Sequence, residues 1–363
     1  MNPFSALYYV KENKKRSLLL MVMIFLSFGV YVGGLYVTNP YDNWGTAIDY
    51  YDKMVGTNGN ISNENYKQFL NEAVSDGKTT VIETGSFNGM NWNTVMGFDT
   101  GIYSLTFRSV SDFKRYCDHM GIECDFDSLK SGSMIMSEMF AKNRGLVIGD
   151  KVDKDFDWNI FREFTLDAVT NEDGYTLYFI TDDEDTVSGA VLIGNGIEGR
   201  ELYDYVYGLQ NSSEKPEDIY VYQGVRSDLK GQFEIFDMIY FFIAILLSII
   251  LAVTINAAFV GMYQRREFEF SVYRAIGISK RRIVIKIAGE FLLIDAAALL
   301  VGAAVTLLGL YLFNNLVLYP AGKYLRYYNS MALGYMILCN VIIIVPLMIT
   351  RCRQMLRADI CEY

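Results

Sequence analysis

The chain has 363 residues, of which 52% are hydrophobic, and a formal net charge of −10, enough for more than one compact body. So acidic a chain lacks the basic footprint that nucleic acid requires, and no nucleic-acid partner is expected. The charge is also segregated: residues 38–234 hold 34 of the 42 acidic and 16 of the 32 basic residues, a net of −18, whereas the remainder holds 8 and 16, a net of +8.

Hydropathy accounts for the division, because a helix needs about 20 apolar residues at 1.5 Å each to cross a hydrocarbon layer of about 30 Å. Four runs satisfy this, at 18–37, 235–263, 283–318 and 332–350. The apolar core of the first is too long for a cleaved signal peptide and no small-residue cleavage pattern closes it, so it is read as a retained span. Lys11, Lys14, Lys15 and Arg16 precede it; the segment 264–282 between the second and third runs is basic; Arg351, Arg353 and Arg357 follow the fourth. Cytoplasmic flanks are enriched in Lys and Arg, which places 1–17, 264–282 and 351–363 inside, and 38–234 with a short loop at 319–331 outside. The expected fold class is a membrane protein of the cell membrane, with four transmembrane α-helices, both termini cytoplasmic, and a large α+β extracytoplasmic domain inserted between helices 1 and 2.

In that domain "TTVIET" (79–84) and "YSLTFRS" (103–109) read as strands, and "SDFKRYCDHMG" reads as a helix capped by Ser111 and stopped by Gly121. "FTLDAVT" and "YTLYFI", joined through "NEDG", read as a hairpin turning at Asp173-Gly174. "GRELYDYVYGLQ" is a further helix and "DIYVYQGV" a strand before the second span. That span has 29 residues, about 43 Å of helix and more than the bilayer requires, and "SDLKGQFE" (227–234) before it suits a stalk, with Gly231 its weak point.

Catalytic signatures are absent from the sequence. The single histidine, His119, reads as a helix-surface residue, and no nucleophile elbow, phosphate loop or spaced metal-ligand cluster occurs. The run "DDED" (182–185) lacks the glycine and later glutamate of a calcium loop and reads as a solvated acidic turn. Cys117 and Cys124 lie in a compartment that permits disulfides, but their spacing does not establish a Cα approach within about 7 Å, so the sequence leaves open whether they pair.

Between the second and third spans, "RREFEFSVYRAIGISKRR" places Phe268, Val272, Ala275, Ile276 and Ile278 at helical spacing between charged ends. On physical grounds alone this is an interfacial helix lying among lipid phosphates, ended by Gly277. The stretch also resembles the cytoplasmic segment of FtsX-like and MacB-like ABC transporter permeases, through Arg265, Arg266, Glu267, Phe268, Arg274, Ala275, Ile276, Gly277, Ile278, Ser279, Lys280 and Arg281. Glu269 departs from that pattern, which more often has a small residue there, and bears on which ATPase is accepted. "MSEMFAKNRGLVIGDKV" (136–152) is similar to the outer-domain segment of the same family, with Gly145, Leu146, Gly149 and Asp150 in its Gly-Leu-x-x-Gly-Asp positions. Pro346, the basic tail and "ADI" (358–360) resemble the family's C-terminus.

The resemblance implies a type VII ABC transporter permease: a non-catalytic subunit whose coupling helix, 264–282, is seated in a cytoplasmic ABC ATPase. Two ATPase copies would carry ATP and Mg, since this chain has no phosphate loop and binds no cofactor or metal of its own. A second permease, the same or a different chain, completes the expected assembly, with membrane lipid around it. Mechanotransmission would then act on an amphiphile at the outer face, such as an exported antimicrobial peptide, a lipid-linked molecule or a lipoprotein. Two alternatives stay open: an FtsX-like regulator that activates a cell-wall hydrolase, and a membrane-anchored sensor without an ATPase. Within the third span, Glu290 reads as structural or coupling, while Asp295 reads either as a hydrogen-bonding partner of a neighbouring helix or as part of a substrate or proton path.

Overall fold

In the computed structural model the described residues are 27–357, less 61, 161, 173, 183–187, 223–224 and 265–266, together with Lys14, Met21 and Phe25. The chain divides into two compact units. A helix unit comprises Met1–Val37, Ile235–Phe313 and Arg326–Tyr363, and a sheet unit comprises Thr38–Glu234 and Asn314–Leu325.

In chain order α1 (Phe28–Lys53) leads into β1 (Met54–Asn58), followed by α2 (Glu64–Ser75), β2 (Thr79–Asn93), β3 (Asp99–Phe107), α3 (Val110–Met120), β4 (Ser133–Ser137) and α4 (Glu138–Arg144). Then come β5 (Lys151–Val152), β6 (Phe164–Thr170), β7 (Leu177–Ile180), β8 (Gly189–Gly194), α5 (Gly199–Ser212) and β9 (Tyr220–Tyr222). The strands form one mixed sheet in the order β5-β6-β4-β7-β3-β2-β8-β1-β9. Strand β2 is far longer than the predicted 79–84 because its first half pairs with β8 and its second with β3, across an irregularity between Asn88 and Asn91.

Two local expectations are corrected. Ser109, not Ser111, caps α3: it has extended backbone and its hydroxyl accepts from the Asp112 N–H, whereas Ser111 already lies in the first turn. β6 and β7 are not a hairpin, because β4 lies between them, parallel to β6 and antiparallel to β7. The connection is instead organised by buried Glu172, whose carboxylate accepts from the hydroxyls of Thr170, Thr176 and Tyr178. Turn chemistry alone could not reveal a third strand entering from elsewhere in the chain.

Aromatic rings dominate the packing of this unit. Phe107 meets Phe113 and Tyr116 of α3 at centroid distances of 5.2 Å, and Trp92 stacks on Tyr175 at 4.3 Å. Cys117 is buried and Cys124 partly exposed, both as free thiols, and burial pushes the Cys124 thiol up to about 11. His119 sits on the exposed side of α3 with Nδ1 2.8 Å from the Arg115 carbonyl. Of the acidic run, Asp182 accepts from the Ser131 hydroxyl, and 183–185 lie outside the described residues.

The segment 314–325 is seated in the sheet unit. Asn314 closes it by donating to the Leu325 carbonyl and accepting from the Leu325 N–H, at 2.9 and 3.0 Å. At its tip Gly322 has φ +61°, and its carbonyl accepts from Tyr175 Oη at 2.7 Å and Asn143 Nδ2 at 3.3 Å. A Cβ there would lie 2.1 Å from the Asn143 backbone nitrogen, so the close approach requires glycine. Lys323 donates to the Thr94 carbonyl and Asn93 Oδ1, and burial holds its ammonium below the ordinary lysine range, with Asp99 opposing that shift.

The helix unit contains most of α6 (Val225–Gln264), α7 (Glu267–Ala275), α8 (Lys280–Phe313) and α9 (Ser330–Arg357). Among the described residues three segments are long and apolar enough to cross a membrane: Asp237–Ala257, Lys280–Ala321 and Ser330–Thr350. The predicted first span, 18–37, is described as helix from Phe28; residues 18–20, 22–24 and 26 lie outside the described residues, as do nearly all of 1–17 and all of 358–363 with "ADI". Helix α6 runs unbroken for 40 residues, about 60 Å, and takes in Gly231 without a break. Small residues set the spacing of the helices: Gly33 and Gly34 lie against Tyr240 and Ala332, and Gly302 against the ring of Phe28. Gly309, by contrast, faces open space.

Candidate coupling site

Within the predicted coupling segment 264–282 the helix end falls at Gly277, as expected. α7 ends at Ala275, and Gly277, at φ +85°, turns the chain so that α8 begins at Lys280. The Ile278 N–H bonds the Tyr273 carbonyl and the Gly277 N–H the Arg274 carbonyl, the two bonds of a Schellman cap. Glycine is required because the residue at this position must be left-handed.

Helix α7 carries apolar side chains on two sides. Phe270 is buried with Ile283, Ile287 and Phe291 of α8, Ile255 of α6 and Ile343, Ile344 and Leu347 of α9, and Tyr273 and Ile278 pack against that cluster. Phe268, Val272 and Ile276, four residues apart, are exposed together with Ala275. The sequence pattern places Phe268, Val272, Ala275, Ile276 and Ile278 on one stripe; in the structure Ile278 is partly buried against the helix cluster and the other four are exposed.

A polar clasp holds α7 to α8. Lys286, whose side chain is only 3% exposed, lies 3.6 Å from Glu269 Oε1. Tyr273 donates its hydroxyl to the same carboxylate at 2.8 Å, and its ring lies 5.0 Å from the Lys286 ammonium. Glu269, the position that departs from the resembling family, is thus satisfied within the chain. Lys286 went unassigned in the sequence; its signal was a solitary cation in an apolar run, which must find a counter-charge when buried.

The remaining candidate residues fall as follows. Arg265 and Arg266 lie outside the described residues, and Glu267 opens α7. Arg274 is half-buried, and Ser279 is exposed with its carbonyl accepting from the Arg282 and Ile283 N–H groups at the start of α8. Glu290 is buried one turn beyond Lys286. Asp295 is also buried and accepts from Asn340 Nδ2 of α9 at 2.9 Å. Among the described residues no cluster of His, Cys, Asp or Glu could hold a metal ion.

Long apolar helices with a short helix clasped between two of them define a polytopic membrane protein. Residues 240–354 match the family described as FtsX-like permease C-terminal. The family is a membrane transporter component, generally non-catalytic and generally partnered with an ABC ATPase. No curated protein matches the chain. Among solved structures it is similar to a permease-protein domain from Porphyromonas gingivalis, at 11% identity over 47% of this chain and 89% of that one, TM-score 0.28. It is also similar to the extracellular domain of the noncanonic ABC-type transporter YknZ from Gram-positive bacteria, at 14% identity over 47% of this chain and 99% of that one, TM-score 0.29.

Proposed function

We propose that this chain is the permease subunit of an ATP-driven ABC transporter that works by mechanotransmission. α7 is its coupling helix, seated on the cytoplasmic side in one of two ATPase subunits that bind ATP and Mg; a second permease, the same or a different chain, completes the assembly. The observation that carries the reading is the two-sided character of α7. Phe270 and the Glu269–Lys286 clasp tie it to the span helices, while Phe268, Val272 and Ile276 are left for a partner. A helix fastened on one side only would yield under load; this one passes displacement to α8. The unbroken α6 offers a rigid route in the same sense.

The substrate class is an amphiphile presented at the outer face: an antimicrobial peptide, a lipid-linked molecule or a lipoprotein. The net charge of −18 over 38–234 favours cationic amphiphiles by long-range attraction. The test is Ala275→Glu in the full chain, co-expressed with its ABC ATPase. Co-purification of the ATPase is expected to fall about tenfold or more, equivalent to about 1.4 kcal/mol, with the amount of chain in the membrane unchanged. Undiminished binding in that variant and in Phe268→Glu overturns the coupling role.

A further inference from the structure

We infer that the sheet unit carries a docking platform for a cationic amphipathic peptide, formed by three apolar loops gathered at the C-terminal end of α4 and ringed by carboxylates. The inference rests on the reading above in one respect, the preference for cationic amphiphiles, and gives that preference a surface. Six exposed large apolar side chains lie on these loops: Met96 and Phe98, Val147 and Ile148, Phe156 and Trp158. The loops are neighbours because α4 ties them together. Asn143 accepts from the Asn93 N–H and donates to the Asn93 carbonyl, both at 3.0 Å, at the foot of the turn that carries Met96 and Phe98. Arg144 lies 3.6 Å from Asp157 and 5.0 Å from the Phe156 ring, and Val147 and Ile148 follow it directly after the glycine and leucine that end α4. Asp157 also accepts from the Asn91 N–H at 3.0 Å, which closes the ring of loops.

A gathered apolar patch rimmed by polar residues marks an interaction surface, and its charges decide the occupant. Residues 94–99 and 145–160 hold five carboxylates and two ammonium groups. Buried Asp157 is answered by Arg144, and Lys151 by Glu163 at 2.6 Å. Within these loops that leaves Asp99, Asp150, Asp153 and Asp155 against Lys154, a net of −3. Of the cations nearby, Lys142 is answered by Glu138 and Lys323 donates to the Thr94 carbonyl. Two of the carboxylates are fixed by the backbone: Asp150 accepts from the Val147 N–H and Asp153 from the Asp155 N–H, each at 2.9 Å. Like charges repel across an interface, which disfavours both the same face of a second copy and an anionic headgroup. A peptide with lysines or arginines beside an apolar stripe meets both demands. Val147 and Ile148 receive the stripe, and Phe98, Phe156 and Trp158, the last 78% exposed, offer ring faces to the cations.

The experiment uses the full chain in nanodiscs of zwitterionic phosphatidylcholine, with the photoreactive substitution Val147→benzoylphenylalanine at a side chain that is 67% exposed. The probe is a synthetic amphipathic helix of leucine and lysine, and its leucine–glutamate counterpart is the control. Adducts formed on irradiation are identified by mass spectrometry. The leucine–lysine peptide is expected as the main adduct, with its half-saturating concentration raised about tenfold by Trp158→Ala or Asp155→Lys, the scale of losing one anchor. Both residues are exposed, so neither change removes a core contact. The leucine–glutamate peptide should be captured about tenfold less well. Absence of peptide capture, equal capture of the two peptides, or indifference to both substitutions overturns the inference. So do adducts to a second copy of the chain or to lipid that the peptide does not displace. The permease reading is tested separately, by ATPase co-purification with Ala275→Glu, so failure of one is distinguishable from failure of the other.

Discussion

The sheet unit and the helix unit hold themselves together by opposite means. In the first, large rings such as Trp92, Phe107 and Phe113 are fully buried and the backbone is satisfied strand against strand. In the second, wide apolar surfaces stay outward, with Phe242, Leu300 and Val301 all exposed, and the helices meet through glycines and a few polar clasps. Water drives the burial of rings in one; in the other, lipid already solvates apolar side chains, so association depends on close backbone approach and on polar groups that need partners. A polar deletion is accordingly expected to weigh more in the sheet unit than in the spans.

That contrast can be broken at four places. The largest effect belongs to Gly322→Val, which forces a β-branched side chain into left-handed backbone and into the Asn143 nitrogen. It should cost about 3 kcal/mol locally and release 314–325, read as new protease cutting between 314 and 329 in the reconstituted chain. Glu172→Gln leaves three hydroxyl donors facing an amide in place of a carboxylate. A loss of about 2 kcal/mol is expected in chemical denaturation followed by near-ultraviolet circular dichroism.

Glu269→Gln removes the counter-charge of buried Lys286, yet Glu269 is partly exposed, so solvent screening discounts the effect to about 1 kcal/mol. Pairing it with Lys286→Met in a double-mutant cycle should recover part of that loss, and strict additivity would deny the clasp. Asn340→Leu takes the amide from Asp295, for about 0.6 kcal/mol, read as a small fall in the thermal midpoint in detergent. Equal penalties for Glu172→Gln and Asn340→Leu would dissolve the distinction between the two units.

Much of the site was legible before any coordinates. The glycine at 277 marks a helix end by its spacing from the apolar stripe, and the cap there satisfies the orphan carbonyls such an end requires. Not legible was which apolar residues of α7 turn inward. Phe270 differs from Phe268 only through what α6, α8 and α9 bring against it. Glu269 read as an oddity of the docking surface because its partner lies 17 positions away on another helix.

Composition and hydropathy determined by themselves that apolar helices alternate with basic flanks and that an acidic α+β segment precedes the second span. Those properties are local, set by side-chain transfer energies and by backbone hydrogen bonding within each helix. Only the tertiary structure decided that β4 enters between β6 and β7, that Lys286 answers Glu269, and that a glycine beyond a span is gripped by Tyr175 and Asn143. Each of these joins residues distant in the chain, and such pairings are fixed by which surfaces the whole fold brings together.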